Sequence, residues 1–320
     1  MNELLPSTRL QHAAGETIAG AGRAVTLRIG EKAVNLSNLD KIFWPKSGLT
    51  KGDLLAYYAS VARELLPHLA DRAMVMKRYP NGIAGKFFFM KRTPDPRPDW
   101  LRTCSIEHGS GNVIAFPVID DLASLLWVVN LGCIDLNPWY ARCDDVNRPD
   151  YLHFDLDPVP PAAFAEVREA ALYVAGILES LEMKVLAKTS GSRGFHLYVP
   201  IERGPTQKQV WRVAKRLAFE MAAARPDLLT AEYRIAARPP GRVLVDYNQN
   251  AWGRTLASVY SVRPREEAAV SAPITLAELK KGAAIEDFTI HNMSARVRER
   301  GDLWRPLLQK RGRFSLEVLL

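Results

Sequence analysis

The stretch His153-Phe154-Asp155-Leu156-Asp157-Pro158 alternates polar side chains with large apolar ones. Side chains two residues apart in an extended strand point to the same face, roughly 6 to 7 Å from each other. Asp155 and Asp157 are therefore predicted to lie together on one face, while the apolar residue before each of them enters the core. Two carboxylates on one rigid strand suit Mg2+ or Mn2+, since phosphate oxygens and water complete the coordination of such ions.

A second apolar run, Arg242-Val243-Leu244-Val245-Asp246-Tyr247, also reads as a strand that ends in a carboxylate. Three converging carboxylates suit a two-metal nucleotidyl transfer, in which one ion activates a 3′-hydroxyl and the other holds a triphosphate. A D-x-D motif by itself is also typical of solvated or structural carboxylates. The sequence leaves open whether Asp246 meets Asp155 and Asp157 in space, and their convergence is the main expectation.

Between these two strands lies the segment Lys188-Thr189-Ser190-Gly191-Ser192-Arg193-Gly194-Phe195-His196-Leu197-Tyr198. Gly191 and Gly194 permit a tight backbone turn. The side chains that could donate hydrogen bonds to phosphate oxygens are those of Ser190, Ser192, Arg193 and His196. The segment is not a P-loop, because the motif G-x-x-x-x-G-K-[ST] does not occur. A Ser/Gly hairpin with an arginine in solvent is the alternative interpretation.

The composition is that of a globular protein: 320 residues, of which 48% are hydrophobic and 24% charged. Those values exclude collagen-like, disordered and coiled-coil chains. The 43 Lys and Arg residues outnumber the 35 Asp and Glu residues. The resulting formal charge of +8 favours a polyanionic partner, although a basic protein without such a partner has the same composition.

Cysteine usage and hydropathy indicate the cellular compartment. The three cysteines form no C-x-x-C pair, so neither a disulfide framework nor a structural zinc site is predicted, and we expect reduced, mostly buried thiols. No apolar run approaches the ~20 residues that span a bilayer, and the first residues lack the apolar stretch of a signal peptide. We therefore expect a cytoplasmic, nucleoid-associated protein with no membrane partner.

Helix-like and strand-like patterns alternate along the chain, with spacings too variable for one doubly wound parallel sheet. We predict an α/β (α+β) fold of two packed modules whose mixed β-sheets are flanked by helices. Helices are predicted to begin after Thr50 and Thr206, each with a capping partner three residues later, and a further strand is predicted for Arg254 to Val262. The predicted organisation is a flexible N-terminal arm over 1–24 and a catalytic domain over 25–320, which consists of an N-terminal module over 25–150, a catalytic-motif module over 151–265 and a helical tail over 266–320.

The order D-x-D, then S-G-S-R-G-F-H, then V-D-Y-N-Q-N resembles the archaeo-eukaryotic primase superfamily. The match is closest to the polymerase domain of bacterial ligase D and to stand-alone primase-polymerases, including the primase-polymerase C type, and it runs from roughly Leu36 to Arg265. The resemblance implies a primase-polymerase catalytic core with an RRM-like module. It also implies that Asp155, Asp157 and Asp246 are metal ligands and that Ser190, Arg193 and His196 hold the phosphates of the incoming nucleotide.

The resemblance carries over further positions. Lys41 and Lys51 match paired lysines, ten residues apart, that grip the 5′-phosphate on the downstream side of a gap or break. Phe88 and Phe89 match an aromatic pair that stacks on the templating base or the nucleotide. We nevertheless expect at least one residue of Phe87-Phe88-Phe89 to be core. The other nucleotide-binding positions that the family implies are Lys77, Arg78, Asn137, Arg238 or Arg242, Gln249 and Arg263.

Two positions depart from the family pattern. Asn137 stands where ligase D polymerases usually have histidine, and it can hydrogen bond but cannot be cationic. Arg193 replaces a common lysine and so exchanges a point charge for a bidentate fork. We find no K-x-D-G ligase motif, nuclease segment or zinc-ligand cluster in the sequence. We therefore expect a polymerase module that works alone or with separate partners.

The function that the resemblance implies is a template-directed DNA/RNA primase-polymerase that extends a primer 3′ end at short gaps or broken ends. It would use two Mn2+ or Mg2+ ions and tolerate or favour ribonucleotides among its NTP and dNTP substrates. The expected partners are gapped or broken double-stranded DNA, a separate ATP-dependent DNA ligase and Ku, and we expect a monomer. Gap filling in base excision repair is favoured over dedicated non-homologous end joining, because no ligase segment is built in.

Two alternatives from other classes remain at this point. A catalytically silent DNA gap- or end-binding protein would not need three mutually repelling acids. A metal-dependent glycosyltransferase would use the D-x-D motif to hold a nucleotide sugar, but it leaves the paired lysines and the overall positive charge unexplained.

Overall fold

The computed structural model of the protein describes residues 14–20 and 22–320. The chain forms two units by the density of its internal contacts. The first unit takes in the described residues up to Pro138 together with Tyr260–Ala269 and Thr289–Gly301. The second comprises Trp139–Val259, Val270–Phe288 and Asp302–Leu320. The two units therefore alternate along the sequence, whereas the sequence patterns suggested consecutive modules with a change near residue 150.

The strands and helices have the following bounds. The strands are β1 Ala24–Ile29, β2 Lys32–Ser37, β3 Ile42–Trp44, β4 Leu49–Thr50, β5 Met74–Arg78, β6 Phe88–Met90, β7 Thr103–Glu107, β8 Val113–Pro117, β9 Cys133–Pro138, β10 Ala141–Arg142, β11 Asp145–Pro149, β12 Tyr151–Pro158, β13 Leu186–Thr189, β14 Phe195–Pro200, β15 Leu229–Thr230, β16 Val243–Asp246 and β17 Pro273–Ile274. Besides the helical residues 14–20, the helices longer than one turn are α1 Lys51–Leu69, α2 Leu122–Asn130, α3 Phe164–Ser180, α4 Gln207–Ala224, α5 Leu276–Lys280 and α6 Met293–Arg300. The α/β (α+β) class predicted from the sequence is confirmed.

In the first unit, helix α1 begins where its capping residues predict. The Thr50 hydroxyl accepts a hydrogen bond from the backbone N–H of Asp53, and the Asp53 carboxylate accepts one from the backbone N–H of Thr50. The buried face of α1 carries Tyr58, whose hydroxyl donates to the carbonyl of Ile134 at 2.5 Å and accepts from the N–H of Val262 at 3.0 Å. This one hydroxyl ties the helix both to β9 and to the returning segment Tyr260–Ala269.

The second unit is built on a six-stranded sheet in the order β15-β16-β12-β14-β13-β17. All neighbouring strands run antiparallel except β15 and β16, so the sheet is mixed, as the sequence predicts. The central strand β12 contains the D-x-D motif, and its apolar residues Leu152, Phe154 and Leu156 are completely buried. Helices α3 and α4 pack against this sheet. The D-x-D motif therefore lies on a strand that is paired along both of its edges and packed against helices.

The predicted strand over Arg254 to Val262 is wrong. The segment is irregular, and both Gly253 and Tyr260 have positive φ angles, of 73° and 64°, which interrupt an extended conformation. Its backbone groups bond to side chains instead of a neighbouring strand: the carbonyl of Tyr260 accepts from the hydroxyl of Tyr57 at 2.9 Å. An apolar sequence pattern cannot distinguish these two ways of satisfying a buried backbone.

The N-terminal arm and the cysteines can be compared with the sequence expectations only where the structure describes them. Residues 14–20 are helical and Ile18 is buried, while residues 1–13 and 21 of the expected arm lie outside the described residues. The three cysteines form no disulfide bond, and Cys104 and Cys133 are buried. Among the helices of residues 14–20 and 22–320, none has the length and apolar character of a membrane span.

Gly194 provides a test of how tightly the loop after β13 is held against β12. A Cβ atom on this residue would lie 1.8 Å from the carbonyl oxygen of Leu156, so Gly194→Ala must push the two strands apart. We expect a loss of stability of roughly 1 to 3 kcal/mol in thermal or urea denaturation. Gly204→Ala is the matched control, because no atom lies within 4 Å of its added Cβ. Equal melting temperatures for the two variants would contradict the close packing.

Candidate active site

The pairing of the strands places four polar residues in one row across the sheet. Asp155 of β12 is the register partner of Asp246 on β16 and of His196 on β14. His196 is in turn the register partner of Lys188 on β13. Side chains of register partners lie on the same face of a sheet, with Cβ atoms about 4.5 to 5.5 Å apart. Asp246 therefore lies next to the D-x-D motif in the structure, as expected from the sequence.

Each of the three carboxylates contacts a group of the protein. Asp155 Oδ1 lies 3.2 Å from His196 Nε2, and Asp157 Oδ2 lies 3.6 Å from Arg193 Nη2. Asp246 accepts hydrogen bonds at 2.8 Å from the backbone N–H of Asn248 and from Gln249 Nε2. These donors hold the carboxylates in place but do not neutralise all of them.

The pKa values of the acids show the remaining charge imbalance. Burial and, after it, the nearby Asp155 carboxylate raise the pKa of Asp157 to about 7 against the opposing charge of Arg193. Burial and Asp155 also raise the pKa of Asp246, although the hydrogen bond from Gln249 acts in the other direction. Burial and the mutual repulsion of the three carboxylates together thus outweigh the effect of the neighbouring cations.

The donor set fits a hard divalent cation in chemistry and charge. Carboxylate oxygens are the ligands that Mg2+ and Mn2+ prefer, and a dication would offset the repulsion that raises the pKa of Asp157. Within residues 14–20 and 22–320, no three or more His, Cys, Asp or Glu side chains are arranged to hold one ion together. Asp155, Asp157 and Asp246 instead each lie 2.8 to 3.6 Å from a hydrogen-bonding or charged group of the protein.

The loop between β13 and β14 is organised by Ser190. Its Oγ accepts hydrogen bonds from three successive backbone N–H groups, those of Ser192, Arg193 and Gly194, at 3.0 to 3.1 Å. These N–H groups are therefore engaged inside the loop. The Arg193 side chain projects outward and is 63% exposed, next to Asp157. The structure thus gives Ser190 a role in shaping the loop and leaves Arg193 as its accessible cation.

The two arginines proposed upstream of Asp246 differ in position. Arg238 hydrogen bonds to the carbonyls of Glu232 and Tyr233 at 3.1 and 2.9 Å. Burial raises the pKa of Asp157 and of Asp246, and the Arg238 guanidinium opposes that rise at both. Arg242 donates to the carbonyl of Pro226 at 2.7 Å. The structure therefore brings Arg238, of the two, close to the acids.

A second polar cluster lies in the first unit around Asp135, which sequence reasoning missed. Asp135 Oδ2 lies 3.9 Å from Lys77 Nζ and 3.9 Å from Arg263 Nε. Burial raises the pKa of Asp135, while Arg263 and Lys77 lower it. Asn137, the residue that departs from the family pattern, is buried and donates from Nδ2 to the carbonyl of Asp135 at 3.0 Å. Two predicted nucleotide-binding cations thus share one buried carboxylate.

The expectation that one of Phe87, Phe88 and Phe89 is core is wrong. Their side chains are 50%, 42% and 60% exposed. β6 is an edge strand of a three-stranded sheet, so a strand with aromatic residues on both faces leaves them uncovered. Lys77 Nζ lies 4.3 Å from the ring centre of Phe87, and the Arg78 guanidinium lies 5.3 Å from that of Phe88. The three rings form an accessible aromatic surface next to cations.

The paired lysines of the first unit are held by backbone carbonyls. Lys41 Nζ donates to the carbonyl of Pro80 at 2.6 Å and to Asn81 Oδ1 at 2.7 Å, and Lys51 Nζ donates to the carbonyl of Ser37 at 2.7 Å. Burial and, after it, the charges of Lys41 and Arg78 lower the pKa of Lys51 to about 8. This cluster carries more positive charge than its surroundings neutralise, which favours an anionic ligand.

Comparison with known proteins decides the family. The family model described as "LigD, primase-polymerase domain" matches residues 50–304. The chain belongs to the LigD primase-polymerase family. Its members are metal-dependent nucleotidyltransferases, so the resemblance expected from the three motifs is confirmed and the glycosyltransferase alternative is set aside.

The relatives and a solved structure agree with the family. The multifunctional non-homologous end joining protein LigD of Mycolicibacterium smegmatis is 33% identical over 86% of this chain, and the bifunctional LigD of Bacillus subtilis is 30% identical over 84%. The chain spans 36% and 43% of those two relatives. The polymerase domain of Mycobacterium tuberculosis ligase D, solved in complex with DNA, superimposes with a TM-score of 0.81 at 31% identity and covers 87% of this chain and 99% of that domain.

Two further residues of this LigD primase-polymerase member were not foreseen. Asn250, fully buried, donates from Nδ2 to the carbonyl of His153 at 2.7 Å and accepts from the N–H of His153 at 3.1 Å. It thereby joins the end of β16 to β12 beside the acids. Lys188, also fully buried, hydrogen bonds to His196. Both residues lie inside the quoted motifs, but only strand register shows which neighbours they contact.

Removing one acid should stabilise the protein in the absence of metal. The pKa of Asp157 is about 7 in the folded state against an ordinary value of 3.8, so between those values the folded state binds a proton that the unfolded state has lost. Stability therefore falls as the pH rises through this window, and the loss is complete above pH 7. In EDTA at pH 8, Asp157→Asn should increase the free energy of unfolding by on the order of 2 kcal/mol, and less at pH 5.

The control is the same substitution at Asp144, measured by the same thermal denaturation. A hydrogen bond from Arg203 lowers the pKa of Asp144, so Asp144→Asn should give no increase in stability at pH 8. If the melting temperature of Asp157→Asn is no higher than that of the wild type at this pH, the unfavourable burial and repulsion of the Asp157 carboxylate are disproved.

Proposed function

We propose that the protein is a template-directed nucleotidyltransferase that adds nucleotides to a primer 3′ end at broken DNA ends and short gaps. The observation that carries the proposal is the row in which Asp246, Asp155 and His196 are register partners, with Asp157 beside it. Nucleotidyl transfer requires carboxylates at one point beside a group that binds phosphate. Membership of the LigD primase-polymerase family makes this chemistry the best supported one for the row.

The proposal assigns the metal ligands to Asp155, Asp157 and Asp246. Two Mn2+ or Mg2+ ions held there would supply activation of the 3′-hydroxyl and stabilisation of the leaving pyrophosphate. Other residues of the chain hold these ligands in place. Gln249 and the backbone N–H of Asn248 each donate a hydrogen bond to the Asp246 carboxylate. The raised pKa of Asp157, caused first by burial and then by Asp155, supports an arrangement whose charge is completed by cations.

In the second unit, the proposed contacts with the nucleotide phosphates are His196 and the exposed Arg193, with Arg238 beside the acids and Ser190 shaping the loop. In the first unit, Lys77, Arg78 and Arg263 are proposed to bind phosphate, with Asn137 near the nucleotide and the exposed rings of Phe88 and Phe89 stacking on a base or nucleotide. Aromatic stacking of this kind contributes about 1 to 3 kcal/mol per base without sequence preference.

The cluster of Lys41 and Lys51 is proposed to bind the 5′-phosphate at the downstream side of a gap or break. Three observations support it: the two ammonium groups are positioned by backbone carbonyls, Lys51 is almost fully buried, and α1 begins at Lys51. The N-terminus of a helix favours an anion, and so does mutual repulsion between cations.

The proposed pathway follows the relatives that are named as non-homologous end joining proteins. End filling at DNA breaks is therefore proposed as the principal role, and gap filling in base excision repair stays a prediction of the sequence. The proposal extends to the use of both NTP and dNTP with tolerance of ribonucleotides, a separate ATP-dependent ligase and Ku as partners, a monomeric state, and a cytoplasmic, nucleoid-associated location.

The central test is substitution of the acids. Asp155→Ala and Asp157→Ala should each abolish extension of a primed gap, a loss of at least about a thousandfold, because transition-state charge is no longer stabilised. Binding of gapped DNA should be retained in a fluorescence anisotropy assay. Asp144→Ala, at an exposed carboxylate paired with Arg203, is the control and should extend normally. Full extension by the acid variants would disprove the mechanism, and absence of extension by the wild type would favour the silent binding protein.

The Lys51 pKa of about 8 predicts a pH-dependent contact with the 5′-phosphate. Below that value Lys51 is charged and above it the charge is lost, while a phosphate monoester with a second pKa near ~6 remains dianionic. Raising the pH from 7 to 9 should therefore weaken binding of a gap with a 5′-phosphate by about tenfold. Lys51→Met should remove this dependence at constant ionic strength.

The control variant is Lys46→Met, since Lys46 is 77% exposed and pairs only loosely, at 3.8 Å, with Glu266. The control substrate is the same gap without a 5′-phosphate, for which little change between pH 7 and pH 9 is expected. An equal pH dependence with both substrates would rule out the assignment of Lys51.

A further inference from the structure

A buried lysine lies at the end of the row that contains Asp246, Asp155 and His196. Lys188 has no solvent-exposed surface, and its Nζ lies 2.7 Å from His196 Nδ1 and 2.5 Å from Ser271 Oγ. Taking an ammonium group out of water costs several kcal/mol unless its donors are satisfied. An apolar residue could fill the same space without this cost. A buried lysine at this position therefore indicates a specific role for its ammonium group.

The direction of the hydrogen bonds follows from the donors and acceptors. The Ser271 hydroxyl donates to the carbonyl of Thr189 at 2.8 Å, so its oxygen can accept from Lys188. An ammonium group has donors only. Nδ1 of His196 must therefore be the acceptor, and the proton of the neutral ring lies on Nε2. Nε2 is the nitrogen that faces Asp155 Oδ1 at 3.2 Å.

The reverse arrangement is less compatible with the geometry. If Nδ1 of His196 carried the proton and donated to a neutral Lys188 amine, the lone pair of Nε2 would face the Asp155 carboxylate oxygen at 3.2 Å. Two acceptors at that distance repel each other. A doubly protonated ring would instead direct the Nδ1–H at the ammonium group 2.7 Å away. With Lys188 as an ammonium group and Asp155 ionised, only the Nε2–H form makes both contacts favourable.

We propose that Lys188 is a positioning residue that holds His196 in its Nε2–H form and points that donor at the row of acids. The inference rests on the proposed function for its consequence: Nε2–H is the group of His196 that can be donated to a phosphate oxygen of the incoming nucleotide. Lys188 itself is too deeply buried to contact a nucleotide. Its effect on the reaction passes through the imidazole.

The first measurement is the protonation of the His196 ring nitrogens in the wild-type protein, by long-range 1H–15N NMR at neutral pH without nucleotide. The chain has six histidines, and His196→Gln identifies the signal by its absence. We expect a protonated Nε2 and an unprotonated, hydrogen-bonded Nδ1. A proton on Nδ1 overturns the inference, whether or not the protein extends primers.

The second measurement compares Lys188→Met with Ser271→Ala. Methionine keeps the length and packs beside the rings of Tyr198 and Trp304, whose centres lie 5.9 and 6.0 Å from Lys188 Nζ. Lys188→Met should change the tautomer populations of His196 and raise the KM for nucleotide about tenfold, with a much smaller change in kcat. Ser271→Ala disturbs the same buried cluster but leaves the donor to Nδ1, so the tautomer should stay as in the wild type.

A double-mutant cycle separates the role of Lys188 from general stability. In a His196→Gln background, Lys188→Met should cause no further rise in KM, because no imidazole is left to orient. An additional tenfold loss there, or an unchanged tautomer in Lys188→Met, overturns the inference. If the wild type shows no extension activity, the proposed function fails while the NMR result still decides the state of His196.

Discussion

The antiparallel pairing of β12 with both of its neighbours is the constraint on which the second unit depends. Because side chains alternate between faces, a shift of one residue in either pairing would move Asp155 away from Asp246 or from His196 and turn it to the opposite face. Two features protect this register. Asn250 bonds to the backbone of His153, and the backbone at Gly194 approaches the carbonyl of Leu156 too closely for any side chain.

Each unit contains a charge imbalance of its own. In the second unit, burial and mutual repulsion raise the pKa of Asp157 and of Asp246, so the site has an excess of negative charge. In the first unit, burial and the neighbouring cations lower the pKa of Lys51, so the excess is positive. An unfavourable charge balance of this kind is tolerated where a ligand of the opposite charge offsets it. Cations and phosphates are the corresponding ligands of a nucleotidyltransferase.

Buried polar residues support the proposed binding residues in both units. Asp135 stands between the cations Lys77 and Arg263, and Lys188 bonds to His196 behind the row of acids. A charge that is buried in this way orients its partner more firmly than an exposed charge, which pays side-chain entropy for the same contact and is screened by water. The sequence patterns pointed to the proposed binding residues, whereas the residues that support them became visible through burial and distance.

Local patterns of the sequence were sufficient for the elements that carry the motifs. Alternation predicted β12, an apolar run predicted β16, the pair Thr50 and Asp53 predicted the start of α1, and three motifs in order indicated the family. The prediction failed where an element depends on distant partners. Arg254 to Val262 is irregular because hydroxyls on α1 satisfy its backbone, and Phe87–Phe89 are exposed because they lie at β6, the edge strand of its sheet.

The sequence by itself thus determined the class of fold and the family, and it predicted the metal-binding acids and the phosphate-binding loop, since these follow from residue type and from spacings of a few positions. Only the tertiary structure decided that Asp246 is opposite Asp155, that Arg238 rather than Arg242 lies near the acids, and that Lys188 contacts His196. Those relations join strands that are distant along the chain. Their register is set by packing and hydrogen bonding across the whole sheet, and no local spacing encodes it.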